Sequence, residues 1–338
     1  MEEMCLLGCH WGQNCAGKNS QFRLKSTMQA NYSPTSIGAS ILPQAGCGEN
    51  FSVLLDSEGF MYSAGLGEFG QLGNGETGEY FIAANKIGFG NSTKFERRSV
   101  FVHKPGTSME ELRKPPVPMP DSDNIRIGSI ACGKHHTIAV EAPLMDNAAS
   151  QRVFTWGGGG YGVLGHGVQV DQYTPQLVNT FLGPLFQSNS PTRACAGAHC
   201  SLVLTGNGHV YYFGKHRSVG EATMRPALVD VLANNSHVVN ALDAGGQTVV
   251  CSTTNGVTVS WGVGQAGELG YGAGNPKSSA KPKFIEKLDK VLITDVSGGY
   301  GHTLFLIRDE DEEDKKVMAN IARIETGDIE DFIKKWSK

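Results

Sequence analysis

Three stretches of this chain repeat one arrangement of glycines. Residues 65–75 read GLGEFGQLGNG, residues 157–167 read GGGGYGVLGHG and residues 262–272 read GVGQAGELGYG. Glycine holds the first, third, sixth, ninth and eleventh place each time, and leucine holds the eighth as Leu72, Leu164 and Leu269. Within the middle copy, Gly157, Gly159 and Gly162 spell G-x-G-x-x-G, the fingerprint of a loop that cradles a dinucleotide pyrophosphate. That chemistry requires the glycines to follow a strand and open a helix. The residues that follow, VLGHGVQVDQYTP, carry two more glycines and a proline and will not hold one. A chain also does not carry three pyrophosphate loops with identical tails. The glycines mark a structural repeat.

A second landmark recurs in step with the first. AGCGENFSVLL, ACGKHHTIAV, CAGAHCSLVL, AGGQTVVCS and SGGYGHTLFLI align on Gly48, Gly133, Gly197, Gly246 and Gly299, at spacings of 85, 64, 49 and 53 residues. Three residues on stand Phe51, His136, Cys200, Val249 and His302, then Ser52, Thr137, Ser201, Val250 and Thr303. In this alignment the fourth copy has lost its polar residues. Each landmark runs into a β-rich apolar segment (FSVLLD, HTIAVE, SLVLT, HTLFLIR), and a further strand ends in glycine (GFMYSAG, QRVFTWG, HVYYFG, GVTVSWG). All-strand units of about 50 residues with glycine-marked turns are the signature of β-propeller blades. Such a unit cannot cover its own sheet faces and is stable only when stacked on neighbours. Glycine at 44 of 338 residues, roughly double the usual share of about 7%, suits a chain dense in tight turns.

Charge and targeting signals narrow the classes. A net charge of −4 argues against a general polyanion binder. No run of 18 apolar residues is present, so no membrane span is expected. The start, MEEMCLLGCHWGQN, is acidic and its apolar stretch is too short for a signal peptide, so the N-x-[ST] sequons at Asn31, Asn91 and Asn234 carry no weight. Cys47, Cys132, Cys195, Cys200 and Cys251 read as small buried apolar residues, reduced in a chain without an export signal. Cys5, Cys9, His10 and Cys15 do not have zinc-site spacing, and neither metal nor cofactor is expected. No G-x-S-x-G, P-loop, H-E-x-x-H or C-x-x-C pair occurs. His135, His136, His199 and His302 recur at the landmark and read as core or turn residues, because packing roles repeat where an active site is singular.

The alternation of CGxxHT with WGxGxxGxLGxG resembles the regulator of chromosome condensation repeat family. GEYFIAANKI, FERRSVFV, EATMRPALVD, PKSSA and GYGHTLFLIRDEDEEDKK resemble the branch of its second paralogue, from about Trp11 to Lys316. The resemblance implies a seven-bladed propeller, all-β, entered here mid-repeat at HWGQNCAG. About four full blades with partial ones, an incomplete ring and exposed sheet edges are expected. Residues 1–44 are then a partial blade, 45–308 the propeller repeats with an insertion at 77–125, and 309–338 an acidic tail able to form short helices.

For function, the resemblance implies a non-catalytic interaction protein whose rim and insertion bind small GTPases of the Rac and Ral type. It also implies support of mitosis, the centromere and spindle, and cell-cycle progression. Chromosomal passenger proteins, chromatin or microtubules are the further partners implied, in nucleus and cytoplasm. One alternative is a nucleotide exchange factor for Ran on chromatin, where exchange distorts the partner's site and breaks no bond. Another, from a different class, is a propeller enzyme with a site at the channel mouth. The insertion joins arginine to aromatic residues, the composition of interface hot spots. Phe95, Arg97, Arg98 and Phe101, with Lys104, Arg113 and Lys114, are accordingly the expected contacts to an acidic partner.

Overall fold

A computed structural model describes residues 42–310, apart from 84–85, 99–124, 144–149, 216–220 and 273, together with 312–319 and 321. The first blade comprises β1 (Gln44–Cys47), β2 (Phe51–Leu55) and β3 (Met61–Leu66). After them comes a separate hairpin of β4 (Glu79–Ala83) and β5 (Lys86–Phe89), then the outer strand β6 (Asn91–Arg98). The second blade is β7 (Ile127–Cys132), β8 (His136–Glu141), β9 (Val153–Gly157) and β10 (Gln172–Leu177). In the third stand β11 (Pro191–Ala196), β12 (Cys200–Thr205), β13 (Val210–Gly214) and β14 (Thr223–Leu228), followed by the short helix α1 (Asp230–Asn234). β15 (Val239–Ala244), β16 (Thr248–Thr253), β17 (Thr258–Val263) and β18 (Ser278–Phe284) make the fourth, and β19 (Ile293–Gly298) with β20 (Thr303–Ile307) a two-stranded fifth. Helix α2 (Glu312–Met318) follows.

Every pairing is antiparallel, and the blades pack in chain order through their first strands, β1 on β7, β7 on β11, β11 on β15 and β15 on β19. Stacking covers both faces of a sheet, which is why β8, β12 and β16 are buried at every residue. By contrast β20 alternates, leaving Leu304 and Leu306 exposed on the side away from β16. Among the described residues no strand pairs with β20 beyond β19, so the blades form an open arc.

The glycine loops fold as seam hardware. Gly157 has φ 101°, and a Cβ there would strike the His135 carbonyl. Gly73 has φ 70°, and a Cβ would lie 2.8 Å from the Trp156 Nε1 of the next blade. Residues with side chains avoid this left-handed backbone. Gly160–Gly162 forms one 3-10 turn broken by Tyr161 at φ 61°, not a helix opening on a phosphate. Two sets of hydroxyl bonds then hold each loop. Ser63, Thr155 and Ser260 donate to the carbonyls of Leu72, Leu164 and Leu269 in their own blades, at 2.8, 2.7 and 2.7 Å. Across the seams, Thr137, Ser201 and Thr303 donate to Gln71, Val163 and Glu268 of the preceding loop, at 3.3, 2.8 and 2.8 Å. Trp156 Nε1 donates to Gln71 as well, at 3.0 Å, and Trp261 packs on Tyr212 between the third and fourth blades.

Three expectations are corrected. The landmark turn is closed by a glycine N–H donating to the carbonyl three residues on, from Gly48 to Phe51, Gly133 to His136, Gly197 to Cys200, Gly245 to Thr248 and Gly299 to His302. The fourth copy therefore aligns on Gly245, not Gly246, and retains the polar Thr248. What it lacks is the next residue's hydroxyl, since Val249 stands where the other blades carry Ser52, Thr137, Ser201 and Thr303. Second, the 77–125 segment is not one insertion: its residues 91–98 are the outer strand of the first blade, paired with β3. Third, His136 and His302 do not share an environment. His136 is buried with Nε2 2.9 Å from Ser201 Oγ, whereas His302 is exposed because no described blade covers β20. In the acidic tail one carboxylate is withdrawn from solvent. Asp314 is buried and accepts from Arg308 Nε and Nη2 at 2.7 and 3.0 Å, closing the start of α2. Residues 1–41 and 322–338 lie outside the described residues, and with them Cys5, Cys9, His10 and Cys15 and the end of the acidic tail.

Candidate protein-binding faces

The seam bonds recur, so functional difference must lie at positions that do not. Directly after the landmark glycine these are Glu49 and Asn50, Lys134 and His135, Ala198 and His199, Gly246 and Gln247, and Tyr300 and Gly301. The turns that carry them touch one another around the inner end of the arc: Lys134 N donates to Ala198, Ala198 N to Gly245 and Gly246 N to Gly299. A small cradle opens there, lined by Glu49, Lys134, Ala198, Gly245 and Tyr300 among others.

At this mouth, Glu49 Oε2 lies 3.1 Å from His135 Nε2 and 3.6 Å from Lys134 Nζ. Phe69 from the first glycine loop packs against His135 with centroids 4.7 Å apart and the rings tilted by 45°, and Tyr161 from the second packs against His199 at 5.0 Å and 58°. Lys215 Nζ sits 5.7 Å from the Tyr161 centroid. At the seam onto the fifth blade, Ala266 meets Gly301 in the same place. Burial holds the His135 and His199 imidazoles below the ordinary histidine value, with the Lys134 charge acting in the same direction and Glu49 against it. His135 and His199 are thus half-buried surface residues and not core. Burial pushes His136 down to about 3 and His166 down to about 4, so both are neutral structural groups. Among the described residues no three His, Cys, Asp or Glu side chains converge on a metal position.

On the same side, the hairpin β4–β5 leaves the blade directly after the first glycine loop. Gly90 N donates to Gly78 O at 2.7 Å and closes its base. Tyr80, Ile82, Ile87 and Phe89 are 52, 52, 48 and 37% exposed. Paired residues share a face of a hairpin, so Tyr80 and Ile82 cover Gly88 on one side while Ile87 and Phe89 occupy the other. Exposed apolar residues gathered on one element mark an interaction site. Composition could have flagged them, since EYFIAANKIGF sets a run of apolar residues in an otherwise polar connection.

The expected partner contacts divide. Phe95 is half-buried in a cluster with Leu42, Leu54, Phe60 and Tyr62, at the place where the other outer strands carry Pro175, Pro226 and Pro282. Arg98 occupies the position of Val178, Val229 and Ile285 and turns inward, its side chain only 9% exposed. Its Nε donates to Ser63 Oγ at 2.6 Å, Nη2 reaches Ser63 O at 3.4 Å and Nη1 binds Glu96 at 3.0 Å. Arg98 is therefore a strut of its own blade, a correction to its expected exposure. Arg97 is exposed, with its guanidinium carbon 3.5 Å from the Phe60 centroid. Phe101, Lys104, Arg113 and Lys114 lie outside the described residues.

The regulator of chromosome condensation (RCC1) repeat profile matches residues 58–140, 150–204 and 255–306. Protein RCC2 of Mus musculus is 32% identical over 315 residues, covering 92% of this chain and 56% of that protein. The Protein RCC2 homolog of Xenopus laevis is 32% identical over 314 residues, with the same shares of 92% and 56%. The ultraviolet-B receptor UVR8 of Arabidopsis thaliana is 25% identical over 309 residues, covering 89% of this chain and 59% of that one. The chain thus spans little more than half the length of these curated relatives. Among solved structures, Prp20p of Saccharomyces cerevisiae, described with its binding properties to Gsp1p and histones, matches with a TM-score of 0.53 at 20% identity. That match covers 85% of this chain and 60% of Prp20p, and it shows the shared fold. With the profile on three separate stretches, the recurring seam bonds and the blade order in agreement, this chain belongs to the regulator of chromosome condensation (RCC1) repeat family.

Proposed function

We propose that this chain is a non-catalytic regulator of small GTPases, of the Rac and Ral type, that binds its partner on the glycine-loop side of the arc. The carrying observation is the hairpin β4–β5, whose four exposed apolar side chains leave the first blade after its glycine loop, on the side that also carries the non-recurring polar groups at the mouth. A GTPase presents acidic switch loops around an apolar patch. Hairpin apolar residues, Lys134, Lys215 and the exposed Tyr161 suit that surface. Regulation by such contact is conformational and needs no catalytic side chain. Mitotic roles at centromere and spindle, a nuclear and cytoplasmic distribution, and chromosomal passenger proteins, chromatin or microtubules as further partners belong to the same proposal. They rest on the likeness to Protein RCC2.

A second reading, exchange on Ran at chromatin, is favoured by the likeness to Prp20p and by the Gsp1p and histone binding described for that protein. Pull-downs of the folded chain with Rac, Ral, Arf and Ran, followed by release of a fluorescent GDP analogue, separate the two. Capture of Rac or Ral without accelerated release supports the first reading. Accelerated release from Ran alone replaces it with the second, and capture of none removes both. Imaging a fluorescent fusion through division tests the localisation.

A further inference from the structure

We infer that Arg97 and Arg126, held against the two faces of Phe60, form a docking point for an acidic peptide of a protein partner, on the side of the arc away from the glycine loops. The Arg97 and Arg126 guanidinium carbons lie 3.5 and 4.2 Å from the Phe60 ring centroid. Two carbons that close to one centroid would collide on a single face, so the ring is sandwiched. The two cations then stand at most about 7.7 Å apart.

None of the three residues belongs to the repeat. Leu177, Leu228 and Phe284 occupy the position of Arg97 in the other blades, and Ser190, Val238 and Leu292 occupy that of Arg126. Phe60 is matched by Arg152, His209 and Val257. Blade stacking therefore does not require the sandwich. It is also pre-organised. Arg98 pins the end of β6 to Ser63, and Phe60 N donates to Asp56 Oδ1 at 2.8 Å. Arg126 Nη1 reaches the Ile125 carbonyl at 3.1 Å, which fixes its stem.

Stacking holds a guanidinium plane while leaving its rim of N–H donors outward, the geometry that takes a carboxylate by two parallel bonds. Arg97 makes no hydrogen bond or ion pair among the described residues. Of the nearby carboxylates, Asp56 is occupied, accepting from the Glu58 and Phe60 amides and from the Tyr62 hydroxyl. Glu58 is exposed in the same turn. No described carboxylate pairs with Arg97, so an aspartate- and glutamate-rich occupant brings its own, and Phe95 beside the sandwich offers an apolar contact for an aromatic or aliphatic anchor.

The place matters as much as the chemistry. Strand β6 starts with Asn91 opposite Leu66, at the glycine-loop end of β3, and finishes with Arg98 opposite Met61. Seven strand steps separate the ends by about 23 Å. The hairpin and the sandwich thus lie at opposite ends of β6. This inference shares the first blade with the proposed function but does not depend on it.

The test uses a fluorescein-labelled Asp/Glu-rich peptide, its serine-substituted neutral control and a phosphoserine peptide of low carboxylate content, titrated by anisotropy into the whole chain. The expected result is binding of the acidic peptide that weakens with salt, falls roughly tenfold or more in Arg97→Glu and falls less in Arg97→Lys. Ile82→Asp on the hairpin should leave it unchanged. Far-UV melting checks that each variant is folded, and Phe60→Leu, which keeps the apolar cluster and removes the sandwich, gives a second loss if Arg97→Glu melts early. Equal binding by the folded variants, binding of the phosphoserine peptide alone, or loss in Ile82→Asp to the same extent would each overturn it.

Discussion

Replacing His136 and His302 in turn gives the most discriminating stability experiment, because the repeat places both at one position and the structure does not. His136 is 1% exposed, with Nε2 2.9 Å from Ser201 Oγ across the seam. His136→Ala empties most of an imidazole from a packed seam, about 2 kcal/mol by analogy with core truncations. It also takes one partner from Ser201, about 1 kcal/mol. The Ser201 hydroxyl keeps its 2.8 Å bond to Val163, so the smaller figure applies. A total of about 3 kcal/mol lowers the melting temperature by roughly 4–5 °C. His302→Ala, at an exposed site, should move it by no more than about 0.5 kcal/mol. Differential scanning fluorimetry with urea titration reads both, and coincident transitions from two probes establish that unfolding is all-or-none. Acid supplies an independent readout. The folded pKa of His136 lies down at about 3, against an ordinary 6.5, because burial favours the neutral ring. Its contribution is therefore complete above the ordinary value and is lost as pH falls from there towards 3, at about 1.4 kcal/mol per pH unit. His136→Ala should flatten that part of the pH profile. Equal costs at the two histidines, or an unchanged acid slope in His136→Ala, would refute the seam argument.

Three further outcomes are expected. Among the described residues Thr248 Oγ1 is buried without a hydrogen-bond partner, so Thr248→Val should be neutral or stabilise by about 1 kcal/mol in the same urea titration. Gly157→Ala, forced to φ 101° against the His135 carbonyl, should cost about 1–3 kcal/mol, whereas Gly160→Ala, with open space around its Cβ, should cost little. Arg98→Leu restores the aliphatic residue that the other outer strands carry. It should leave stability within about 1 kcal/mol and lower acidic-peptide affinity by less than the tenfold or more expected of Arg97→Glu, as anisotropy will show.

The propeller was legible in the sequence because its constraints recur. Glycines at φ near 70–115°, the hydroxyls of Thr137, Ser201 and Thr303 and the Trp156 indole each answer a demand that every seam repeats. The outer strand of the first blade was hidden because Phe95 replaces the proline that marks Pro175, Pro226 and Pro282, and because the β4–β5 hairpin precedes it. Aligning TPQL, RPAL and KPKF with KFER would have found it and would have turned Arg98 inward. The fourth landmark slipped by one residue because Gly245 and Gly246 offer two registers, and only burial of Thr248 chooses between them. For His302 no local pattern could serve, since exposure of β20 depends on what covers its far face. The partner-binding surfaces were half legible: the arginines were visible as composition, but their division into a strut and a stacked, exposed cation is a matter of strand register.

The central claim is that recurring residues build the seams while the hairpin on the glycine-loop side takes a GTPase. Calorimetric titration of Rac, Ral and Ran into the wild-type chain and into a Tyr80→Asp, Ile82→Asp variant tests it most directly. The account predicts measurable binding of Rac or Ral by the wild type and loss of roughly tenfold or more in a variant whose melting temperature is unchanged. Binding that survives intact in the folded variant, or no binding of any of the three GTPases by the folded wild type, would contradict it.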